Sequence, residues 1–295
     1  MNQFIRPLTM RQRFAAVLEK MLQKSDPELY SVTTPENVYQ PAHKKNRRYY
    51  QYMMGKLLLE GSGVRGFDNL AHLHDLARQG HSALVLSAHY TNYDVGAFYA
   101  LMQREGLKGR EIFDDTVFIA GRKLTEGDKI VKAQSEVFNR LVISAKSSKM
   151  SPDEITKAMA INKASQKALS RLKHEGKIFY LYPTGTRVRV GKPQTYSGMR
   201  EIYNYVNKFD YFICCGISGI ILPATDDSDM LAEFPQEDVV VYRFGQVYET
   251  RKYLKDLEPR WKDENEEFDK KQFVIDTIMQ EIYSLGQKPE DLERS

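Results

Sequence analysis

The sequence predicts an α/β protein, with a mixed, largely parallel sheet covered by helices and a smaller helical domain before it. Two patterns lead to this fold class. From about residue 66, short apolar runs alternate with longer amphipathic segments, as in strand–helix–strand units. Before that point, residues 1–60 carry apolar side chains at helical spacing, and Gly61-Ser62-Gly63 ends the run. We therefore expect a helical N-terminal domain over residues 1–63 and an α/β domain over residues 64–295.

Each element follows from a local pattern. Met10–Lys24 and Lys44–Glu60 show the apolar spacing of helices, and Pro27 and Pro35 separate the two. In the α/β part we predict helices at Asp68–Gln79 and Asn92–Glu105 and strands at Ala83–Ser87, Val117–Ala120, Leu141–Ser144, Ile178–Tyr182, Ile213–Ser218 and Val239–Phe244.

A long helix after Ser151 has the clearest start signal. Ser151 fits as the N-cap, Pro152 as the first helical residue and Glu154 as the third, which together make a capping box. One row of side chains along this helix, the stripe, is predicted to face the core, and another row, the column, is cationic. The stripe consists of Ala158, Ile161, Ala164, Ala168 and Leu172, and the column of Lys163, Lys167 and Arg171.

Composition excludes several classes of protein. Charged residues make up 28% of the chain and hydrophobic residues 42%, which argues against wholesale disorder, collagen and coiled coils. The longest mostly apolar stretch, Tyr211–Ala224, falls short of the roughly 20 residues that span a bilayer. We expect a cytoplasmic protein, at most peripheral to a membrane, and residues 1–18, which contain no acid, leave an organellar origin open. The adjacent Cys214 and Cys215 are expected as core residues in a reducing compartment.

Positive charge is concentrated in the middle of the chain. The net charge is only +4, but residues 116–208 carry 18 basic and 7 acidic side chains. This asymmetry predicts an anionic ligand or partner.

A histidine and an aspartate follow the first predicted strand of the α/β part. His89 and Asp94 are five residues apart, so they meet if His89 lies on the strand-to-helix turn and Asp94 lies in the first helical turn. Thr91 fits as the N-cap of that helix. The pair suits a general base and the carboxylate that orients it. Taken alone, a turn histidine with a capping carboxylate explains the same spacing.

Basic residues directly follow three other predicted strands. In Leu181–Arg189, Gly185 permits close backbone approach, and Arg187 and Arg189 can converge on one anion. Arg122 follows the strand at Phe118, while Lys146 and Lys149 follow the strand at Leu141. Each turn alone also fits a solvated basic loop. Together they predict a ligand site, because ligands bind at the carboxyl ends of parallel strands in open α/β sheets.

In this order, the segments resemble the sequence blocks of the glycerolipid acyltransferase family. His89 and Asp94 match its His-x4-Asp block, and Pro183–Arg189 matches its Pro-x-Gly-x-Arg-x-Arg block. Phe118–Leu124 and Ile220–Pro223 look like its second and fourth blocks. The similarity is greatest to the soluble, plastid-type glycerol-3-phosphate acyltransferases and runs from about Asp68 to about Tyr248.

The resemblance implies an enzyme of phospholipid biosynthesis. It would move a fatty acyl group from an acyl thioester, on acyl carrier protein or coenzyme A, to the sn-1 hydroxyl of glycerol 3-phosphate, giving lysophosphatidate. His89 would be the base and Asp94 would orient it, with no metal or cofactor. Arg187 and Arg189 would bind the phosphate together with Lys146 or Lys149, and Arg122, Gly185 and Thr186 would lie in the acceptor site.

Two departures from the family pattern bear on these expectations. Thr184 stands where many membrane-bound relatives have Glu, which favours the soluble branch. The basic turn is one residue longer than in the family and lacks its histidine, so the choice between Lys146 and Lys149 stays open. The cationic column on the long helix is left over, and we interpret it as a docking face for an acidic acyl carrier protein.

Two alternatives remain at this point. The acceptor can be another phosphorylated molecule, lysophosphatidate or dihydroxyacetone phosphate. A non-catalytic module that binds anionic lipid or nucleic acid would also use the cationic block and the basic, aromatic run His43–Tyr50. That class leaves the His-x4-Asp and Pro183–Arg189 spacings unexplained, so no nucleic-acid partner is expected.

Overall fold

A computed structural model describes residues 7–26, 28–144, 150–225, 229–260 and 269–293, and its centre is one sheet of eight strands. In chain order the strands are β1 (Tyr39–Gln40), β2 (Gly63–Arg65), β3 (Ala83–Ser87), β4 (Thr116–Gly121), β5 (Asn139–Ile143), β6 (Ile178–Leu181), β7 (Tyr211–Ser218) and β8 (Val241–Glu249). Their order across the sheet is β1-β5-β4-β6-β3-β7-β8-β2. The five central strands, β5 to β7, are mutually parallel, while β1 and β8 are antiparallel to their inner neighbours. The predicted α/β class with a mixed, largely parallel sheet is confirmed.

Helices cover both faces of this sheet. They are α1 (Met10–Arg13), α2 (Ala15–Lys24), α3 (Arg47–Gly55), α4 (Phe67–Arg78), α5 (Asp94–Arg104), α6 (Gly106–Asp115), α7 (Lys123–Glu126), α8 (Lys129–Ser135), α9 (Pro152–Leu172), α10 (Tyr203–Val206), α11 (Thr250–Leu257) and α12 (Lys270–Leu285). The connection from β3 to β4 and the connection from β5 to β6 cross the sheet in opposite directions. Because such crossovers are right-handed, α5 and α6 lie on one face and α9 lies on the other.

The segment before Gly63 shares the core of the sheet. Met10, Leu18 and Met53 are buried in the same apolar cluster as the central strands, and β1 pairs with β5 as the edge strand of the sheet. A separate helical N-terminal domain over residues 1–63 is therefore not clearly shown.

The start of α9 is as predicted. Ser151 Oγ accepts a hydrogen bond from the backbone N–H of Glu154, and the Glu154 carboxylate accepts one from the backbone N–H of Ser151. The buried residues of α9 are Ala158, Ile161, Ser165, Leu169 and Leu172. Ala164 and Ala168 are only half-buried, so the middle of the predicted stripe was placed one position too early.

Cys214 and Cys215 are unpaired and fully buried in β7, as expected of core residues. Burial raises the pKa of the Cys215 thiol to about 12. Within the described ranges, no helix combines the length and the apolar character needed to cross a membrane.

Candidate active site

His89 and Asp94 meet at the carboxyl end of β3, in the centre of the sheet. The chain leaves β3 at Ser87, turns, and begins α5 at Asp94. Across this turn His89 Nδ1 lies 2.8 Å from Asp94 Oδ2. The geometry of the predicted pair is confirmed.

The Asp94 carboxylate is held by several donors at once. It accepts hydrogen bonds from the backbone N–H groups of Tyr90 at 2.8 Å and Thr91 at 3.1 Å, and from Thr91 Oγ1 at 3.1 Å. Because these partners donate, Asp94 is their acceptor, and a proton on His89 Nδ1 makes its contact with Oδ2 a hydrogen bond of the same kind. That tautomer leaves Nε2 as the basic nitrogen.

The predicted N-cap of α5 is wrong. Tyr93 occupies the cap position, and Thr91 Oγ1 accepts a hydrogen bond from the backbone N–H of Tyr93 at 2.8 Å. The Thr91 hydroxyl therefore stabilises the turn before the helix and also donates to Asp94. The helix begins at Asp94, later than predicted, and the Asp94 carboxylate binds the N–H groups of Tyr90 and Thr91 in the turn before it.

The imidazole of His89 is fixed by stacking as well as by its carboxylate. The ring of Tyr182 lies 4.0 Å from it, centroid to centroid, with an angle of 13° between the planes. Burial raises the pKa of Tyr182 well above its usual range, so the stacked ring is neutral. No hydrogen bond to Nε2 occurs among the described residues, and the His89 side chain is 21% exposed at a cavity wall.

This cavity has a volume of about 810 Å³ and runs along the carboxyl ends of the central strands. Its walls are mostly apolar and aromatic, and no described lining residue is a lysine or an arginine. One end is closed, because the residues lining it are all buried: Tyr50, Tyr93, Val131, Gln134, Ser135 and Phe138. The other end is open, since its lining residues are exposed or half-buried: Asn162, Gln166, Gly185, Met199, Glu201 and Tyr205.

The closed end contains a contribution from the N-terminal segment. Tyr50 of α3 packs on α5 so closely that a Cβ added at Gly96 would lie 1.9 Å from the Tyr50 ring. Beside it, Tyr93 Oη accepts a hydrogen bond from Gln134 Nε2 at 2.5 Å. The apolar cavity therefore ends at a wall that carries a buried polar pair.

The turn after β6 lies directly beside the histidine. The backbone N–H of Val188 donates to the carbonyl of His89 at 2.8 Å. Gly185 has a φ of +63° and lines the cavity, and a Cβ there would lie 2.5 Å from Met199 Cε. Thr186 is half-buried in the same turn, where its carbonyl accepts from Thr184 Oγ1.

Arg187 is buried and carries an ion pair. Its Nη1 lies 2.5 Å from Glu233 Oε1, and the Glu233 side chain is fully buried. Glu233 Oε2 accepts a hydrogen bond from Asn92 Nδ2 at 3.2 Å, so this carboxylate joins the basic turn to the His89–Asp94 turn. Arg189 is half-buried, and its Nε is a buried donor without a partner among the described residues. Neither arginine lines the cavity itself.

Arg122 lies further along the edge and has a partner of its own. Its guanidinium pairs with Glu126 at 2.7 Å, and its Nη1 donates to Ser144 Oγ at 3.4 Å. Lys146 and Lys149, the other predicted phosphate ligands, lie outside the described residues.

The basic run His43–Tyr50 is used mostly for internal contacts. Lys44 and Arg47 both pair with Asp114, at 2.7 and 2.6 Å, and Tyr50 is buried at the cavity. Lys44 and Arg47 join the start of α3 to the end of α6, so the run is only in part the solvated helix face that its composition suggests.

One described cluster has the composition of a metal site. Ligand atoms of His74, Glu111 and Asp115 lie within 4.8 Å of one another. Cations already fill this cluster, because Asp115 accepts from Lys177 at 2.6 Å and from His74 at 3.0 Å, while Lys108 Nζ lies 3.1 Å from His74 Nδ1. The arrangement is that of an ion-pair network joining α4 to α6.

No protein-family model matches the chain, and a search of curated proteins finds no significant match. The functional argument therefore depends on the residues and the geometry of the site. Sequence reasoning missed two of those residues. Tyr182 could have been found, since it is the aromatic residue directly before the Pro183 turn. Glu233 could not, because it lies 46 residues from Arg187 and no local pattern marks it.

Proposed function

We propose that this protein is an acyltransferase that moves a fatty acyl group from an acyl thioester to the sn-1 hydroxyl of glycerol 3-phosphate. The observation that carries the proposal is the position of His89. Its side chain lines a largely apolar cavity with one closed end, beside a turn that holds two arginines, and its Nδ1 is held by Asp94. A general base at the wall of an acyl-sized cavity suits transfer of an acyl chain to a hydroxyl.

The reaction balances with the groups of this site. His89 Nε2 takes the proton of the acceptor hydroxyl as its oxygen attacks the thioester carbonyl carbon. The C–O bond forms, the C–S bond breaks, and the protonated His89 returns the proton to the leaving thiolate. Asp94 stabilises the imidazolium between these steps, and the hydrogen bonds that fix Asp94 keep the base oriented.

Acceptor recognition is assigned to the turn after β6. Val188 fixes this turn to the backbone of His89, so an anion held by Arg187 or Arg189 places its hydroxyl near the base. Arg189 Nε, which has no partner within the described part of the chain, is a donor that an oxygen of the phosphate would satisfy. The family resemblance favours glycerol 3-phosphate over the two other phosphorylated acceptors.

The proposal is tested by steady-state assay of purified protein with palmitoyl thioester and glycerol 3-phosphate. His89→Ala should lower kcat by about 10²- to 10⁴-fold, the usual contribution of a general base. His72→Ala, which removes an exposed histidine of α4, is the matched control and should leave kcat unchanged. Full activity of His89→Ala would overturn the mechanism.

The acceptor assignment has its own test. Arg189→Gln should raise the KM for glycerol 3-phosphate about tenfold or more, the value of one charge-assisted hydrogen bond, and leave the KM for the thioester unchanged. A panel with lysophosphatidate and dihydroxyacetone phosphate ranks the acceptors. Higher kcat/KM on either of these would replace glycerol 3-phosphate as the acceptor.

A further inference from the structure

The open end of the cavity is bordered by helix α9. Asn162 and Gln166, one turn apart, line the cavity there. Successive helical residues are turned by about 100°, so Lys163 and Lys167 form the neighbouring row, directed away from the buried side of the helix. The two lysines therefore lie on the outer surface beside the cavity opening.

These two lysines are exposed and are not in an ion pair with any described residue. Arg171, the third member of the cationic column, pairs with Glu175 at 2.8 Å and lies farther along the helix. Lys208, rather than Arg171, lies at the opening, because the Lys208 Nζ donates to Gln166 Oε1 at 3.0 Å. The column predicted from the sequence is thus replaced by Lys163, Lys167 and Lys208.

Apolar side chains are exposed beside the same opening. Met159 precedes Asn162 by about one turn on α9 and is 60% exposed, and Met199, which lines the cavity, is 44% exposed. We call Met159, Lys163, Lys167 and Lys208 the α9 surface. It combines net positive charge with an apolar contact, and it borders the open end of the cavity at Asn162 and Gln166.

We propose that the α9 surface docks an acidic protein that carries the acyl group as a thioester on a flexible arm. This inference rests on the proposed function, since the arm would enter the open end and bring the thioester to His89. The acyl chain then extends toward the closed end at Tyr50 and Gln134. Cations spaced about 6 Å apart along a helix axis complement acidic side chains at helical spacing on a partner.

The shape of the surface favours a protein over a nucleotide thioester. Small ligands bind in concave sites, whereas the lysines of the α9 surface stand on the convex side of a helix. An anionic membrane is the other surface that such a patch would contact, and the experiment includes it.

The test compares two double charge reversals at identical spacing. Lys163→Glu/Lys167→Glu changes the α9 surface, and Lys20→Glu/Lys24→Glu makes the same change on exposed positions of α2. The donors are palmitoyl-loaded acyl carrier protein and palmitoyl-coenzyme A. The α9 variant should raise the KM for the carrier about tenfold or more and leave the KM for the coenzyme A thioester within about twofold. The α2 variant should change neither.

Equal effects of the α9 variant on the two donors, or no effect on the carrier, would overturn the docking proposal while the acyltransferase activity stands. Binding of the palmitoyl carrier to His89→Ala protein, measured by fluorescence anisotropy, separates the two proposals. If wild type has no transferase activity but His89→Ala binds the carrier and loses binding with the α9 reversal, docking stands and the proposed function fails. If the reversal abolishes binding to anionic phospholipid vesicles but not to the carrier, the surface contacts lipid and the proposal is wrong.

Discussion

The Arg187–Glu233 pair provides a test of the site that does not depend on the reaction. Nη1 and Oε1 are 2.5 Å apart, and the two side chains are 9% and 0% exposed. We expect Glu233→Gln to be strongly destabilising although it keeps the size of the side chain. The change leaves the Arg187 charge buried without its counter-charge, and it sets a new amide donor against Asn92 Nδ2.

The magnitude follows from burial. Removing one partner of a buried ion pair costs about 3–5 kcal/mol of folding free energy. Both side chains of this pair are buried, so we expect a loss of that size. The matched control is Glu237→Gln in the same loop, because Glu237 pairs with Arg13 at 2.7 Å but is 51% exposed. An exposed pair contributes at most about 1 kcal/mol, so this variant should be nearly neutral.

The assay is urea unfolding at pH 7 followed by far-UV circular dichroism. Arg187→Gln should cost about as much as Glu233→Gln, and the double variant should be more stable than the sum of the two losses by at least about 1 kcal/mol, since two amides can bond to each other. If Glu233→Gln lies within about 1 kcal/mol of wild type, or if the two losses simply add, the buried pair does not organise this site.

Two further predictions use the same unfolding assay. Gly96→Ala should lower the free energy of unfolding by about 1–3 kcal/mol because its Cβ would overlap the Tyr50 ring. The control is Gly55→Ala, whose Cβ would have no atom within 4 Å and which should not destabilise the protein. Equal effects of the two variants would contradict the contact. Burial acts to raise the pKa of Asp115, but hydrogen bonds, the largest from His74, outweigh it and lower that pKa from 3.8 to about 2. Because the folded-state pKa is depressed, this stabilisation of about 2 kcal/mol is complete above pH 4 and is lost as the pH falls to 2. Asp115→Asn should therefore flatten the decline in stability between pH 4 and pH 2, and an unchanged decline would refute the assignment.

Features that depend on residues close together in the sequence were predicted correctly. The capping box at Ser151 and the apolar run Ala83–Ser87 are found as predicted. The His89–Asp94 contact was predictable for the same reason, since a strand-to-helix turn can bring residues five apart together. The start of α5 was placed too early, because the Thr91 hydroxyl accepts from the N–H of Tyr93 as expected but the helix itself begins only at Asp94.

Contacts between distant segments were not predictable in this way. Tyr50 reaches the cavity only because Gly96, on another helix, has no side chain. Glu233 meets Arg187 through the fold of a loop that carries no recognisable pattern. The same limit applies to the N-terminal segment, whose apolar spacing predicts helices correctly but does not show that they share the core of the sheet.

The order of the strands explains why the cationic turns are not equivalent. By sequence they are three similar basic loops, each at the end of a strand. In the sheet, β6 lies next to β3, β4 lies beyond β6, and β5 beyond β4. With neighbouring strands about 4.8 Å apart, the Arg187 turn lies one step from the strand that ends at His89, and the strand before Arg122 lies two steps away, about 10 Å. The Arg187 turn is therefore within reach of a ligand bound at His89, whereas the guanidinium of Arg122 is farther away and pairs with Glu126.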